Sequence, residues 1–314
     1  MTTRHETLVD VGIPTFGEPK FLREAIESVF AQTVRSWALT ISENGPGSDY
    51  VKGVLEPYLS DPRVRYVTTG SNLGGAGNST NLLRQGDHAY VALLHDDDRW
   101  EPEFLERRVH FLQANPTCGL VFSCCDFIDE RGGVVHHFAP RFREGLQPRA
   151  RFLRTLYRRN VICIPTVLVP RWCYEAVGAA FNERVLYYDY EMWLRIASRS
   201  DVGFLKVTDA GYRIHPAQTT HAVDAHVGDH RLALLDAVDT ALPAGFSSLE
   251  RRRARSGALL RAAMDILEQG DRQEAAAHLR AALRQYPFGL LDPRMLTMAV
   301  GSIRRRSVLR RTWG

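Results

Sequence analysis

Hydrophobic positions along the chain come first as short apolar runs separated by amphipathic stretches. "VDVGI" (Val9 to Ile13) is short, apolar and β-branched, which predicts a buried strand. Leu22, Ala25, Ile26, Val29 and Phe30 then recur at helical spacing, with Pro19 at a favourable first-turn position. "WALTIS" (Trp37 to Ser42) predicts a second strand, closed by the turn "ENGPGS", and "RVRYV" (Arg63 to Val67) a third. A glycine-rich loop leads into a helix near Ser79 to Gln85. "AYVALL" (Ala89 to Leu94) predicts a fourth, fully apolar strand. "EPEFLERRVHFLQANP" predicts a helix closed by Pro116, and "GLVFS" (Gly119 to Ser123) a fifth strand. Strands separated by helices imply βαβ units and a mainly parallel sheet, an α/β fold.

Residues 126 to 165 are less regular. "NVICIPTVLV" (Asn160 to Val169) predicts another strand, "DYEMWLRIAS" (Asp189 to Ser198) a helix, and "GYRIHP" a strand end or loop. From about residue 228 the pattern turns helical. One helix ends at Gly270, and the next opens with Asp271 as N-cap and Glu274 at capping-box spacing. A single helical hairpin is too short for a repeat array, so it reads as an appended cap.

Composition narrows the class. With 314 residues, 45% apolar and 24% charged, the chain can bury a full core without disulfides. Its five cysteines (Cys118, Cys124, Cys125, Cys163 and Cys173) show no CxxC spacing, which points to reduced thiols in the cytoplasm and away from a zinc site. The start lacks a charged segment followed by an apolar one, so no secretory signal is visible. No apolar run approaches the roughly 20 residues of a membrane helix. The net charge of +4 is too mild to indicate nucleic acid. No acidic residue follows Asp292, however, while Arg294, Arg304, Arg305, Arg306, Arg310 and Arg311 do. That basic tail, ending near Trp313, suits peripheral contact with anionic lipid at the inner face of the plasma membrane. The C-terminal helices leave a homodimer open.

In parallel sheets ligands bind beyond the carboxyl ends of the strands. Four polar stretches occupy that place: "PTFGEP" (Pro14 to Pro19), "ENG" (Glu43 to Gly45), "SNLGGAGNSTN" (Ser71 to Asn81) and "HDDD" (His95 to Asp98). An aromatic residue, a side chain that can read a base edge, a glycine-rich loop and an acidic cluster together suit a nucleotide diphosphate with a divalent cation. "GGAG" lacks the Lys-Ser/Thr pair of a P-loop, which argues against an ordinary ATPase.

The chain resembles a family 2 glycosyltransferase of the GT-A fold. The resemblance rests on "VGIPTFGEPKFLREAIESVFAQT", "SENGPGS", "NLGGAGNSTN", "YVALLHDDDRWEPEFLE", "FNERVLYYDYEMWLRIA" and "YRIHPAQTT". It implies a GT-A type nucleotide-binding sheet flanked by helices, with an α-helical C-terminal extension. It places the catalytic domain at residues 1–225, with a donor half at 1–125 and an acceptor half at 126–225, and the helical region with its basic tail at 226–314. It implies transfer of a sugar from a nucleotide-diphosphate donor with inversion, helped by Mn²⁺ or Mg²⁺. The expected acceptor is a hydroxyl of a cell-envelope glycan or lipid-linked glycan.

Carried over by position, Pro14, Thr15, Phe16 and Glu18 match the first nucleotide-binding stretch. Glu43 and Asn44 match the acidic pair that reads the base, with Asn in place of the usual second Asp. Asn72, Gly75 and Asn78 fall in the glycine-rich loop, and Ser79 stands near the place of an arginine that many members carry. The first Asp of the family's acidic motif falls at His95. Asp96 is therefore expected at the ribose or metal shell, with Asp97 and Asp98 on the metal. Asp189 matches the general base, preceded by Tyr188 where relatives often carry Glu, with Glu191 as the rival. Arg213 is expected at the donor and His215 at the metal. Gln218, Thr219 and Thr220 suit a loop that closes over the donor.

Two other classes fit parts of the pattern. A sugar-1-phosphate nucleotidylyltransferase shares the α/β fold, but it would carry a Gly-rich basic loop after the first strand, and "PTFGEP" does not. A nucleotide- or glycan-binding protein without activity is the other, because His95 and Tyr188 replace acidic residues.

Overall fold

β1 (Val9–Thr15) holds the centre of a sheet because Val9, Val11 and Ile13 are all fully covered. The chain is described by a computed structural model covering residues 9–215, 218, 227–242 and 245–288. Gly12 lets this strand approach its neighbours: a Cβ there would meet the Leu93 and Leu82 side chains at 2.9 and 3.2 Å. α1 (Leu22–Phe30) follows and buries Leu22, Ala25, Ile26 and Val29 on one face. It begins three residues beyond Pro19, because the Leu22 N–H closes a turn onto the Pro19 carbonyl. β2 (Trp37–Glu43) runs parallel to β1 with Thr15 opposite Glu43. α2 (Asp49–Leu55) is capped by the Ser48 side chain, which accepts from the Val51 N–H.

β3 (Val64–Thr68) pairs parallel with β2. α3 (Gly74–Arg84) then starts inside "GGAG", earlier than expected from the sequence. The glycines form its first turn, and a Cβ at Gly77 would lie 2.7 Å from that of Leu73. β4 (Tyr90–Leu93) completes four parallel strands, with β1 between β2 and β4.

The acidic turn then leads to β5 (Arg99–Trp100), α4 (Phe104–Ala114), β6 (Cys118–Ile128), β7 (Val134–Phe138), β8 (Gly145–Gln147) and α5 (Arg149–Arg158). The strand expected at 160–169 does not form. A 3-10 turn takes Ile164–Thr166; Leu168 makes an isolated bridge to Val121, and β9 (Val169–Pro170) pairs antiparallel to β4. Pro165 is the physical reason: it has no N–H for a ladder, and a proline suits the start of a helical turn. α6 (Arg171–Ala176), α7 (Tyr188–Arg199) and β10 (Asp201–Arg213) follow. β10 lies parallel to β6 in a second sheet of order β5-β10-β6-β7, with β8 also on β10. "GLVFS" therefore belongs to this second sheet, not to the first.

The core beneath the site contains one buried ion pair. Arg108 on α4 donates to both Asp209 carboxylate oxygens at 2.9 Å, to the Ser123 hydroxyl at 2.6 Å and to the Thr166 carbonyl at 2.9 Å. Burial raises the Asp209 carboxyl, but the Arg108 charge and hydrogen bonds outweigh it and hold it below the usual range.

The chain divides into two compact units. The first holds residues 1–153, 160–183 and 188–215, and the second holds 154–159, 184–187 and 216–314. In the second, α8 (Val227–Ala241), α9 (Ser248–Gln269) and α10 (Arg272–Gln285) pack together. The full capping box sits at Ser247 and Glu250, while Asp271 caps α10 by accepting from the Glu274 N–H. Gly270 ends α9 with φ of 95°, the left-handed cap that glycine favours. Tyr157 stacks on Phe246 with ring centroids 3.7 Å apart and donates to Asp239 at 2.6 Å. The basic tail from Arg294 onward, and Thr219 and Thr220, lie outside the described residues. Among the described residues no helix is long and apolar enough to cross a membrane.

Candidate active site

The acidic turn stands at the carboxyl end of β4, where the Leu94 N–H still bonds to Gly12 of β1. The Asp98 N–H then turns back onto the His95 carbonyl at 3.2 Å. This turn sends three consecutive carboxylates in three directions. Asp96 reaches β1 and accepts from the Thr15 hydroxyl at 2.5 Å. Asp97 stands with His215, whose Nε2 is 3.1 Å from its Oδ2. Asp98 points inward, is fully buried, and accepts from the Arg213 N–H at 2.8 Å.

The electrostatics differ as sharply. Burial, and then the neighbouring Asp97 charge, push the Asp96 carboxyl up to about 7. Burial also works on Asp97, but the His215 hydrogen bond and the charges of His95 and His215 hold it below the usual carboxylate range. Asp98 is raised well above that range by burial and by Asp97. Its Oδ2 is buried and has no hydrogen-bond partner. A buried carboxylate oxygen left without a donor is costly unless a cation satisfies it.

That orphaned oxygen is a structural test of whether a divalent ion fits. One ligand atom each from His95, Asp97 and Asp98 lies within 4.8 Å of the other two, a group compact enough for one ion. His95 was not expected in this group from the sequence. The only signal for it was its position in place of the first acidic residue.

Arg213 braces the turn from behind. Its side chain is completely buried. Nε donates to the Asp97 carbonyl at 2.8 Å, Nη1 to the Asp129 carbonyl at 2.9 Å, and Nη2 pairs with Glu24 at 2.6 Å. The guanidinium also lies over the Phe21 ring, 4.3 Å from its centroid. The expected donor-binding arginine is thus engaged with the protein itself.

A second polar group gathers at the end of β2. Glu43 accepts from the Ser48 N–H at 3.1 Å and from the Tyr66 hydroxyl. Asn44 accepts from the Leu73 N–H at 2.7 Å and donates to Asn72 Oδ1 at 2.9 Å, which in turn accepts from the Gly74 N–H. Asn78 is buried and clamps α3 on β2, accepting from the Ser42 hydroxyl and donating to the Ser42 carbonyl. These amides shape the loop from Thr69 to Gly74. Pro14 lies in β1 opposite Ser42, and Phe16 and Glu18 stand exposed after it, with the Phe16 ring 64% accessible.

Asp189 occupies the first turn of α7. A helix start by itself favours the ionised form of a carboxylate. Instead the carboxyl is raised, because burial outweighs the Tyr190 N–H bond and the attraction of His95. His95 thus lies within electrostatic reach of both Asp97 and Asp189. Glu191 is buried in an ion pair with Arg195 at 2.9 Å. Tyr188 turns its hydroxyl toward Ser79 and its ring against Gly75. Two of the positions that depart from the expected pattern, Ser79 and Tyr188, therefore face each other.

The comparisons with known proteins agree with the α/β fold. An uncharacterized glycosyltransferase of Methanocaldococcus jannaschii is 26% identical over 194 residues, which is 60% of this chain and 64% of that protein. The match thus spans just under two thirds of that relative's length. Among solved structures, S. aureus TarS 1-349 in complex with UDP-GlcNAc superposes with a TM-score of 0.67 at 14% identity, over 88% of this chain and 79% of that one. Mannosyltransferase PcManGT from Pyrobaculum calidifontis, in complex with GDP-Man and Mn2+, gives 0.58 at 16% identity, over 96% and 87%. At these identities the two likenesses are of fold. The sequence pattern of glycosyl transferase family 2 matches residues 10–169, from β1 through the acidic turn to the start of β9, and the chain belongs to that family.

Proposed function

We propose that the protein transfers a sugar from a nucleotide-diphosphate donor to an acceptor hydroxyl with inversion at the anomeric carbon. The observation that carries this reading is the compact group of one ligand atom each from His95, Asp97 and Asp98 at the carboxyl end of β4, with the buried Asp98 Oδ2 left without a hydrogen-bond partner among the described residues. That group suits the cation on a donor diphosphate, and Asp189 in the first turn of α7 supplies the proton acceptor such a transfer also needs.

Asp97 and Asp98, with His215 at the Asp97 Oδ2, would hold Mn²⁺ or Mg²⁺. The ion, when bound, neutralises charge on the departing diphosphate. Phe16, exposed beyond β1, offers a ring face to the base, with Pro14, Thr15 and Glu18 around it. Glu43, Asn44, Asn72, Gly75 and Asn78 form the wall of the donor site, and Asp96 faces the ribose. Arg213 acts on the donor by holding the acidic turn in place. Asp189 takes the proton of the acceptor hydroxyl as that oxygen attacks. Its raised pKa suits a base, since a more basic carboxylate accepts a proton more readily.

Catalysis is assigned to residues 1–225, with the helical region 226–314 as an extension. The acceptor is proposed to be a cell-envelope glycan or a lipid-linked glycan reached from the cytoplasm, with the basic tail at the membrane surface. The test is transfer or donor hydrolysis with a panel of nucleotide sugars and Mn²⁺. Release of a nucleoside diphosphate and an inverted product supports the reading. Pyrophosphate released from a nucleoside triphosphate would replace it with nucleotidyl transfer, and nucleotide binding without turnover would replace it with a binding role.

A further inference from the structure

The histidine that opens the acidic turn is unaccounted for by the roles given above. It sets a nitrogen donor, at the place of the family pattern's first Asp, in one compact group with Asp97 and Asp98. One of its ring nitrogens, one Asp97 oxygen and one Asp98 oxygen form the compact group, all within 4.8 Å of one another. His215 approaches from the Asp97 side at 3.1 Å. The inward wall of the group is the orphaned, fully buried Asp98 Oδ2.

We infer that His95 is itself a ligand of the cation and that it biases the site toward transition ions over Mg²⁺. This inference rests on the metal-dependent reading above and adds to it a ligand and a selectivity. The physical reason is donor softness. Carboxylate and water oxygens suit Mg²⁺, whereas imidazole nitrogen suits first-row transition ions. Mg²⁺ also keeps near-ideal octahedral geometry and much of its water, which an oxygen-rich site accommodates better. The compact group offers one nitrogen and two carboxylates, with His215 beside Asp97. An aspartate at position 95 would make it three carboxylates and no nitrogen.

Charge points the same way. Asp97 and the buried Asp98 already set two carboxylates side by side in the compact group. A third carboxylate at position 95 would add to their repulsion. An imidazole adds a donor atom without adding negative charge.

The test counts nitrogens on bound Mn²⁺ by pulsed electron paramagnetic resonance. Mn²⁺ is added with inorganic pyrophosphate, which stands in for the diphosphate and carries no nitrogen. Wild-type protein and His95→Asp are compared, because that substitution keeps a ligand at the position and preserves metal binding. Loss of one coupled imidazole nitrogen in His95→Asp is expected. A calorimetric preference for Mn²⁺ over Mg²⁺ is expected to fall by at least about tenfold in the same variant. An unchanged nitrogen count, or an unchanged preference, overturns the inference and leaves the Asp97-centred metal site standing. Wild-type protein that binds no Mn²⁺ at all overturns both.

Discussion

The main-chain N–H of Arg213 donates to the buried Asp98 carboxylate at 2.8 Å, and so ties the end of β10 to the acidic turn after β4. The two residues are 115 positions apart in the chain. The side chain of the same arginine holds the Asp97 carbonyl, so one residue anchors the Asp98 carboxylate and the Asp97 main chain. A turn of adjacent like charges is thereby held in place.

Removing that brace is expected to loosen both fold and site. Arg213→Ala leaves the Asp97 and Asp129 carbonyls without their donor, opens a cavity, and leaves Glu24 paired with Arg99 alone. A loss of about 3 kcal/mol in urea unfolding is expected, as for a broken buried pair. Arg213→Lys keeps the charge but lacks the planar fork, so most of the loss persists. Weaker Mn²⁺ binding in both variants, read by calorimetry, is the functional side of the same prediction.

The Arg108–Asp209 pair predicts an acid-sensitive core. Asp209 has a folded pKa below its unfolded value of 3.8, so its contribution is present above that value and is lost as pH falls through the folded one. Asp209→Asn is expected to cost about 3–5 kcal/mol at neutral pH, because it leaves Arg108 buried without a counter-charge. The variant's unfolding midpoint should also vary less with pH below about 4 than the wild type's.

Asp96 predicts the opposite sign in the metal-free protein. Its folded pKa of about 7 lies above the unfolded value of 3.8. Its favourable contribution is present below the unfolded value and is lost as pH rises through about 7. Chelator-treated protein should therefore lose urea resistance from this group between pH 4 and 8, about the span of the two values, and Asp96→Asn should flatten that slope.

Gly75 predicts a route from the glycine turn to the base. A Cβ there would lie 3.1 Å from the Tyr188 ring and hydroxyl, which precede Asp189 on α7. Gly75→Ala should shift Tyr188 by a few tenths of an ångström and lower turnover by about tenfold, since small misplacements of a catalytic group cost rate steeply. Gly53, exposed on α2 with open space around it, serves as the control. Gly53→Ala should raise stability by about 0.5–1 kcal/mol and leave turnover unchanged.

Much of the first sheet was legible because its strands are apolar runs that need little context: "VDVGI", "WALTIS" and "AYVALL" became β1, β2 and β4. The second sheet was less so. Its parallel pair, β6 and β10, joins segments some 80 residues apart in register, and nothing local to either shows the partner. Pro165 turned an apolar run into a 3-10 turn, an outcome its missing N–H could have signalled. The site shows the same division. Residue type and spacing pointed to Asp97, Asp98 and His215; the fold groups Asp97 and Asp98 with His95, and His215 stands against Asp97 alone of the two. The amides of Asn44 and Asn78 and the fork of Arg213 bond inward, and a side chain's partner is not written in its own identity. His95 was legible as a departure from pattern, and its neighbours came only from the fold.

The most direct test is single-turnover sugar transfer by Asp189→Asn and Asp97→Ala beside the wild type, with donor binding measured in parallel. Asp189→Asn is expected to keep donor binding while its transfer rate falls by about 10²–10⁴-fold, the worth of a general base. Its residual rate should also lose the acid limb that the wild type shows above the ordinary carboxylate range, where Asp189 must be ionised. Asp97→Ala is expected to lose Mn²⁺ binding and transfer together. Wild-type transfer rates in both variants would contradict the assignment of this site.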